Sequence, residues 1–212
     1  MVAGFAQSPP NDILMLFAEA ERRRPHAGRA IDIGCGAGRN AVPLAQAGWR
    51  VAGTDYSWPM LVAAQQRAAG AGVNLDLALA PMQQLPIADR AADLIVAHGI
   101  WNLATSATEF RCAVQEASRV ARAGAALFVF TFSRNTIPAD AAPVPGETFV
   151  FTQFSGQPQC FLTEEQLIAE MAAAGFERDA AVPLMEYNRP RPGVLRTAGP
   201  PVIYEAAFRR IS

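Results

Sequence analysis

Three glycines at alternate positions, Gly34, Gly36 and Gly38, separate an apolar run containing Asp32 from the start of a helix. A second apolar run closes on Asp55, 17 residues after Gly38. The glycines allow positive φ and bring the backbone against a ligand with no Cβ in the way. An acidic residue at the end of the following strand can accept two hydrogen bonds from vicinal ribose hydroxyls. These residue types suit a ligand that carries a ribose. His98 offers a second kind of chemistry. It follows the apolar run 93–97, and its ordinary pKa makes imidazole a proton acceptor near neutrality.

Spacing narrows the ligand. A dinucleotide fingerprint G-x-G-x-x-G counted from Gly34 requires glycine where Arg39 stands; counted from Gly36 it requires glycine where Ala41 stands. The run from Asp32 to Gly38 instead reads D-x-G-x-G-x-G. Here the chain resembles the class I S-adenosylmethionine (SAM)-dependent methyltransferases. The variant Gly-Cys-Gly-x-Gly-Arg-Asn, followed by Leu-Ala-x-x-Gly from Leu44 to Gly48, is similar to the small-molecule and tellurite-resistance-type members. The resemblance implies SAM as cofactor, with Gly34, Cys35, Gly36, Gly38 and Asn40 along its methionine portion. It also implies that Asp32 orients the ammonium, Asp55 takes the ribose, and Tyr56 or Met60 flanks the adenine. Core packing is the alternative for Tyr56 and Met60. One departure stands out: many relatives carry an acid before a Leu-Pro-Phe run, whereas residues 80–87 (Ala-Pro-Met-Gln-Gln-Leu-Pro-Ile) contain none. Adenine recognition then falls to the backbone at Pro81 and Met82, or to Gln83.

SAM presents its methyl group on a sulfonium, so the protein must align a nucleophile, exclude water and accept a proton where one is lost. His98, at a strand's carboxyl end, is either that base or a cofactor contact. Trp101 and Asn102 continue along the same rim; Trp101 walls the acceptor site or belongs to the core. Arg134, after the fifth strand, meets an acceptor carboxylate or phosphate, or is a surface cation. Tyr187, with Asn188 and Arg189, is a further acceptor-side candidate. His26 falls in a loop before the first strand and reads as exposed.

Positioning these residues requires alternating strands and helices. Asn11 caps a helix to about Arg24, strands run near 29–33, 50–54, 73–79, 93–97 and 125–132, and helices fill 39–47, 57–69 and 108–122. Thr163-Glu164-Glu165-Gln166 is a capping box that opens a helix ended by Gly175; strands 176–185 and 202–210 follow. Alternation at these lengths means α/β with a parallel, doubly wound sheet; the resemblance implies the methyltransferase form of it, a mostly parallel seven-stranded sheet with an antiparallel terminal strand. It makes one domain, 1–212, with an N-terminal helical part, 1–27. Residues 133–162 carry proline and glycine, yet also Phe149, Phe151, Phe154 and Phe161. They read as a lid-like insertion over the acceptor that moves when ligands bind.

Composition excludes other classes. All 18 basic residues are arginine, so no lysine can form a Schiff base, and the net charge is −1. Arg22-Arg23-Arg24 ends a helix, where cations favour the macrodipole, and nothing extends it into a nucleic-acid patch. Cys35, Cys112 and Cys160 are odd in number and widely spaced, which fits neither a disulfide framework nor a metal site. No run spans a membrane and no signal peptide is read, so a cytoplasmic setting is expected. The resemblance then implies a small-molecule acceptor methylated on O, N, S or activated carbon, and composition points to no nucleic acid and no membrane. The rival reading is a catalytically silent SAM-binding sensor or partner subunit. Oligomeric state is not legible.

Overall fold

The computed structural model describes residues 9–25, 27–189 and 200–211. His26, Arg191 and Arg196 lie outside the described residues. Helix α1 (Asp12–Arg22) begins at Asn11, whose side chain accepts the Leu14 N–H, and buries Leu14, Phe17 and Ala18. It leads into β1 (Arg29–Ile33), α2 (Ala41–Gln46), β2 (Arg50–Asp55), α3 (Trp58–Gly70), β3 (Asp76–Leu79) and β4 (Ala92–His98). Then come α4 (Ala107–Val120), β5 (Ala121–Phe132), β6 (Val150–Phe151), β7 (Gln159–Cys160), α5 (Glu164–Ala173), β8 (Phe176–Arg178), β9 (Met185–Tyr187) and β10 (Ile203–Arg210).

The main sheet runs β3-β2-β1-β4-β5-β10-β8, with β9 also on β10. Pairs among β1 to β5 are parallel, and β10 is antiparallel to its neighbours. β8 pairs with 208–210 and β9 with 203–205, so two short strands share the seventh position. The sequence predicts one strand over 176–185; Asp179 and Val182 instead exchange bonds with Ala207 across a break. Strand order reverses between β1 and β4, the place where open α/β sheets bind ligands.

Both faces of the sheet are covered, which is why β4 and β5 are apolar on both sides. One core packs α1, α2 and α3 on Leu94, Val96, Ala126 and Phe128. The other packs α4, α5 and the 149–162 region on Ile95, Ala97, Leu127 and Val129. Ser57 holds the N-cap position of α3 without a side-chain cap bond; Asp55 accepts its N–H instead. Thr163 and Gln166 form the expected capping box. Gly124, expected to end α4, lies at φ +77° inside β5, because the chain turns extended already at Ala121.

Candidate functional site

The β1 turn puts Gly34, Gly36 and Gly38 at φ +69°, +52° and +76°. A Cβ on Gly34 would stand 2.6 Å from Ile100, so this glycine lets the β4 rim close onto the loop. Gly36 differs: no atom lies within 4 Å of its would-be Cβ, so the loop faces open space there. Asp55 shapes that opening. One carboxylate oxygen accepts the Gly36 N–H at 2.8 Å and the other accepts the Ser57 N–H at 2.8 Å. Each oxygen keeps a lone pair for a further donor.

Asp32 sits beneath. It is 2% exposed, and its Oδ2 has no hydrogen-bond partner among the described residues. Burial, then the Asp55 charge, push its carboxyl up to about 7, against a backbone hydrogen bond from Ala41. A buried carboxyl with an unpaired oxygen, next to an open backbone turn and a second carboxylate, suits a ligand with an ammonium and vicinal hydroxyls. Those groups are what SAM presents, and the residues fit it.

The remaining expected contacts divide. Cys35 is buried and burial raises its thiol pKa, so it packs rather than reacts. Asn40 is buried and holds the N-cap position of α2 without a side-chain cap bond; its Oδ1 accepts the Asn11 backbone N–H at 3.1 Å. Tyr56, directly after Asp55, is 81% exposed, which rules out core packing for it. Met60 and Pro81 are half-buried, while Met82 belongs to the core.

On the acceptor side the structure bears on two readings that the sequence leaves open. Trp101 is fully buried, edge-on to Phe110, and is a core residue rather than a wall. Asn102 is buried beside it in the same short 3-10 turn, with Oδ1 unpartnered among the described residues. Arg134 is not free for an acceptor anion. Its guanidinium donates to the carbonyls of Ile137, Pro138, Ala139 and Ala141 at 2.9–3.3 Å and lies 4.7 Å from the Phe151 ring centroid. Loop carbonyls within seven residues outcompete a distant ligand because closing so short a loop costs little entropy. Tyr187 is half-buried, its hydroxyl pKa raised by burial and by nearby Glu205.

His98 stacks on Phe130, ring centroids 4.2 Å apart. Its Nε2 lies 3.3 Å from the Asn11 amide nitrogen, which also donates to Glu205 Oε1 at 2.5 Å. Burial, then Arg39, lower the imidazole to about 4, opposed by a hydrogen bond to its own backbone. Burial raises Glu205, opposed by Asn11 and Arg39. Neither Asn11, beyond its cap, nor Glu205 was expected at the site. The signal for Glu205 is its type: a lone carboxylate inside Val202-Ile203-Tyr204-Glu205-Ala206-Ala207-Phe208. Among the described residues, no cluster of three His, Cys, Asp or Glu can hold a metal.

Comparison with known proteins finds methyltransferases. Residues 30–124 match the family described as methyltransferase domain. The ubiquinone biosynthesis O-methyltransferase of Azorhizobium caulinodans is 30% identical over 75% of this chain and 63% of its own length. The ubiquinone/menaquinone biosynthesis C-methyltransferase of Syntrophotalea carbinolica is 37% identical over 58% of this chain and 52% of its own. The chain therefore spans less than two thirds of these curated relatives. In fold, it is similar to a SAM-dependent methyltransferase from Methanosarcina mazei (TM-score 0.71, 19% identity, 96% and 99% of the two chains). It is likewise similar to the 1,6-didemethyltoxoflavin-N1-methyltransferase of Burkholderia thailandensis, solved with S-adenosylhomocysteine (TM-score 0.65, 17% identity, 93% and 78%). Residues 30–124 thus match a methyltransferase domain, carried on a fold similar to that of solved SAM-dependent methyltransferases.

Proposed function

We propose that this protein binds SAM between the β1 turn and the end of β2, and transfers its methyl group to a small-molecule acceptor. The observation that carries the reading is the unpaired buried oxygen of Asp32 next to the open Gly36 turn and Asp55. SAM, when bound, supplies an electrophilic methyl group that needs no further activation. Asp32 holds the ammonium, Asp55 accepts from the ribose hydroxyls, and the backbone from Gly34 to Gly38, with Asn40 behind it, follows the methionine portion. Tyr56 and Met60 flank the adenine, with the backbone at Pro81 and Met82 opposite. With no acid in residues 80–87, backbone groups do the reading there.

His98 and Tyr187 border the acceptor, with Asn102 supporting the same rim. A neutral imidazole at this place accepts the acceptor's proton once its Nε2 lone pair is free. Residues 133–162 cover the acceptor side and keep water out. The curated relatives and the toxoflavin enzyme are named for O-, C- and N-methylation, so the small-molecule class is shared while the acceptor atom is not. Three unpaired cysteines suit a reducing, cytoplasmic setting. Incubation with methyl-labelled SAM and a panel of phenols, amines, thiols and activated carbon acids tests the assignment. Labelled product with S-adenosylhomocysteine is expected. Tight SAM binding without turnover on any acceptor would favour the silent-binder reading instead.

A further inference from the structure

Asn11 spends every polar group it has. Its backbone N–H goes to Asn40 Oδ1, its Oδ1 accepts the Leu14 N–H at 2.8 Å, and its Nδ2 meets both Glu205 Oε1 and His98 Nε2. The two outer partners leave no freedom over which way the amide points. A backbone N–H only donates, so it requires Oδ1; an ionised carboxylate only accepts, so it requires NH2. A flipped amide would set NH2 against N–H and carbonyl against carboxylate. The amide proton aimed at His98 therefore demands a lone pair on Nε2, and the imidazole proton must sit on Nδ1. The bond that His98 makes to its own backbone favours the protonated ring, as a ring N–H donated to a carbonyl would.

The framework around this contact is the sheet itself. His98, Phe130 and Glu205 are register partners on β4, β5 and β10, so their side chains rise on one face of the sheet. Asn11 bridges over Phe130 from the start of α1. Arg39, just before α2, donates to the Pro9 carbonyl at 2.5 Å, so residues 9–11 form a strap tied to the glycine-loop side by Arg39 and Asn40. The charged and titratable groups facing His98 are Arg39 and, through Asn11, Glu205 with Tyr187 beyond it.

We infer that Asn11 is a positioning residue that locks His98 as the Nδ1–H tautomer and occupies its Nε2, so His98 can take a proton only when the strap lets go. A protonated Nε2 would present N–H to the NH2 of Asn11. Relieving that contact by an amide flip would break the α1 cap and the Glu205 bond together. Proton acceptance by His98 is thereby coupled to undocking of residues 9–11. This rests on the proposed role of His98 at the acceptor, but the tautomer itself does not, and the test reads the tautomer directly.

The experiment is nitrogen-15 NMR of histidine-labelled full-length protein, with His26→Gln identifying the His98 signals. Asn11→Ser is the variant, because serine still caps α1 while its hydroxyl is too short to reach His98 and Glu205. In the wild type we expect His98 to be neutral, protonated on Nδ1 and bonded at Nε2, with no titration near 6.5. In Asn11→Ser we expect mixed tautomers and a titration raised by about one pH unit or more, since a donor to the neutral ring has been removed. Wild-type His98 protonated on Nε2, or titrating near 6.5, would overturn the inference without any variant. An Asn11→Ser spectrum with tautomer and titration unchanged would overturn it too. A failure to detect methyl transfer would touch neither result.

Discussion

Asp32 and Asp55 stand on adjacent strands, and only one of them is held by backbone donors on both oxygens. Asp32 carries the greater electrostatic cost: its folded pKa is pushed from 3.8 to about 7, by burial first and by Asp55 second. Because the folded value is raised, its contribution to stability is full below about 3.8 and is lost as pH rises through about 7. A bound ammonium reverses this by favouring the ionised carboxyl. SAM binding should therefore release up to about one proton near pH 6 and almost none at about pH 8. Calorimetric titration in buffers of different ionisation enthalpy measures that release, and Asp32→Asn should abolish it while weakening binding about tenfold or more. Identical heats in every buffer would remove Asp32 from the ammonium. At this scale the sequence was informative about the cofactor side, because turns and carboxylates act locally. It left Trp101 open between wall and core and Arg134 between acceptor contact and surface cation, because their partners, Phe110 and the 137–141 carbonyls, depend on how chain segments close on one another.

Among the elements, residues 133–162 depart most from a loose loop. Phe149, Val150, Phe151, Cys160, Phe161 and Leu162 are all buried, and β6 pairs with β7. Glu147 accepts the Ala107 N–H at 2.8 Å, fastening the segment to the start of α4. Burial raises the Cys160 thiol to about 12, so it is inert packing. Amides at 149–151 and 160–162 should thus exchange slowly even without ligand, while the exposed turn 153–157 exchanges quickly. Fast exchange throughout would mean the hairpin is not packed as described. Phe161→Ala, which empties the cluster with Phe132, Phe151 and Phe154, should cost about 3–5 kcal/mol in urea unfolding. The aromatic content of this segment was legible as packing. Its pairing was not, because two-residue strands carry too little alternation to register.

The whole molecule is closed by a contact between its first and last elements. Arg209 on β10 pairs with Glu21 of α1 at 2.8 Å and with Asp179 after β8. Burial pushes both carboxyls up, but it is outweighed, by Arg209 and then Arg24 at Glu21 and by the Ala181 N–H and then Arg209 at Asp179, so both stay below their ordinary values. Lowered folded values mean that this stability is present above the ordinary carboxylate range and lost as pH falls through the folded pKa values. Arg209→Met should lower stability by about 1–3 kcal/mol at neutral pH, and the difference from wild type should shrink on acidification. Thermal unfolding at pH 7 and at about pH 3 checks this; an equal loss at both would mean packing, not charge, is at stake.

Alternating strands and helices made the doubly wound sheet predictable at this scale, and the family resemblance supplied the antiparallel terminal strand. The split of the seventh strand into β8 and β9 was not predictable, because it follows from β10 spanning farther than either piece. The most direct test of the account is calorimetric titration of SAM into wild-type protein, Asp55→Ala and Gly36→Val. Asp55→Ala should lose at least about tenfold in affinity through two charge-assisted hydrogen bonds, and Gly36→Val should lose more by filling the open side of the turn. Unchanged affinity in both variants, with folding intact, would contradict the assignment of this turn as the SAM site.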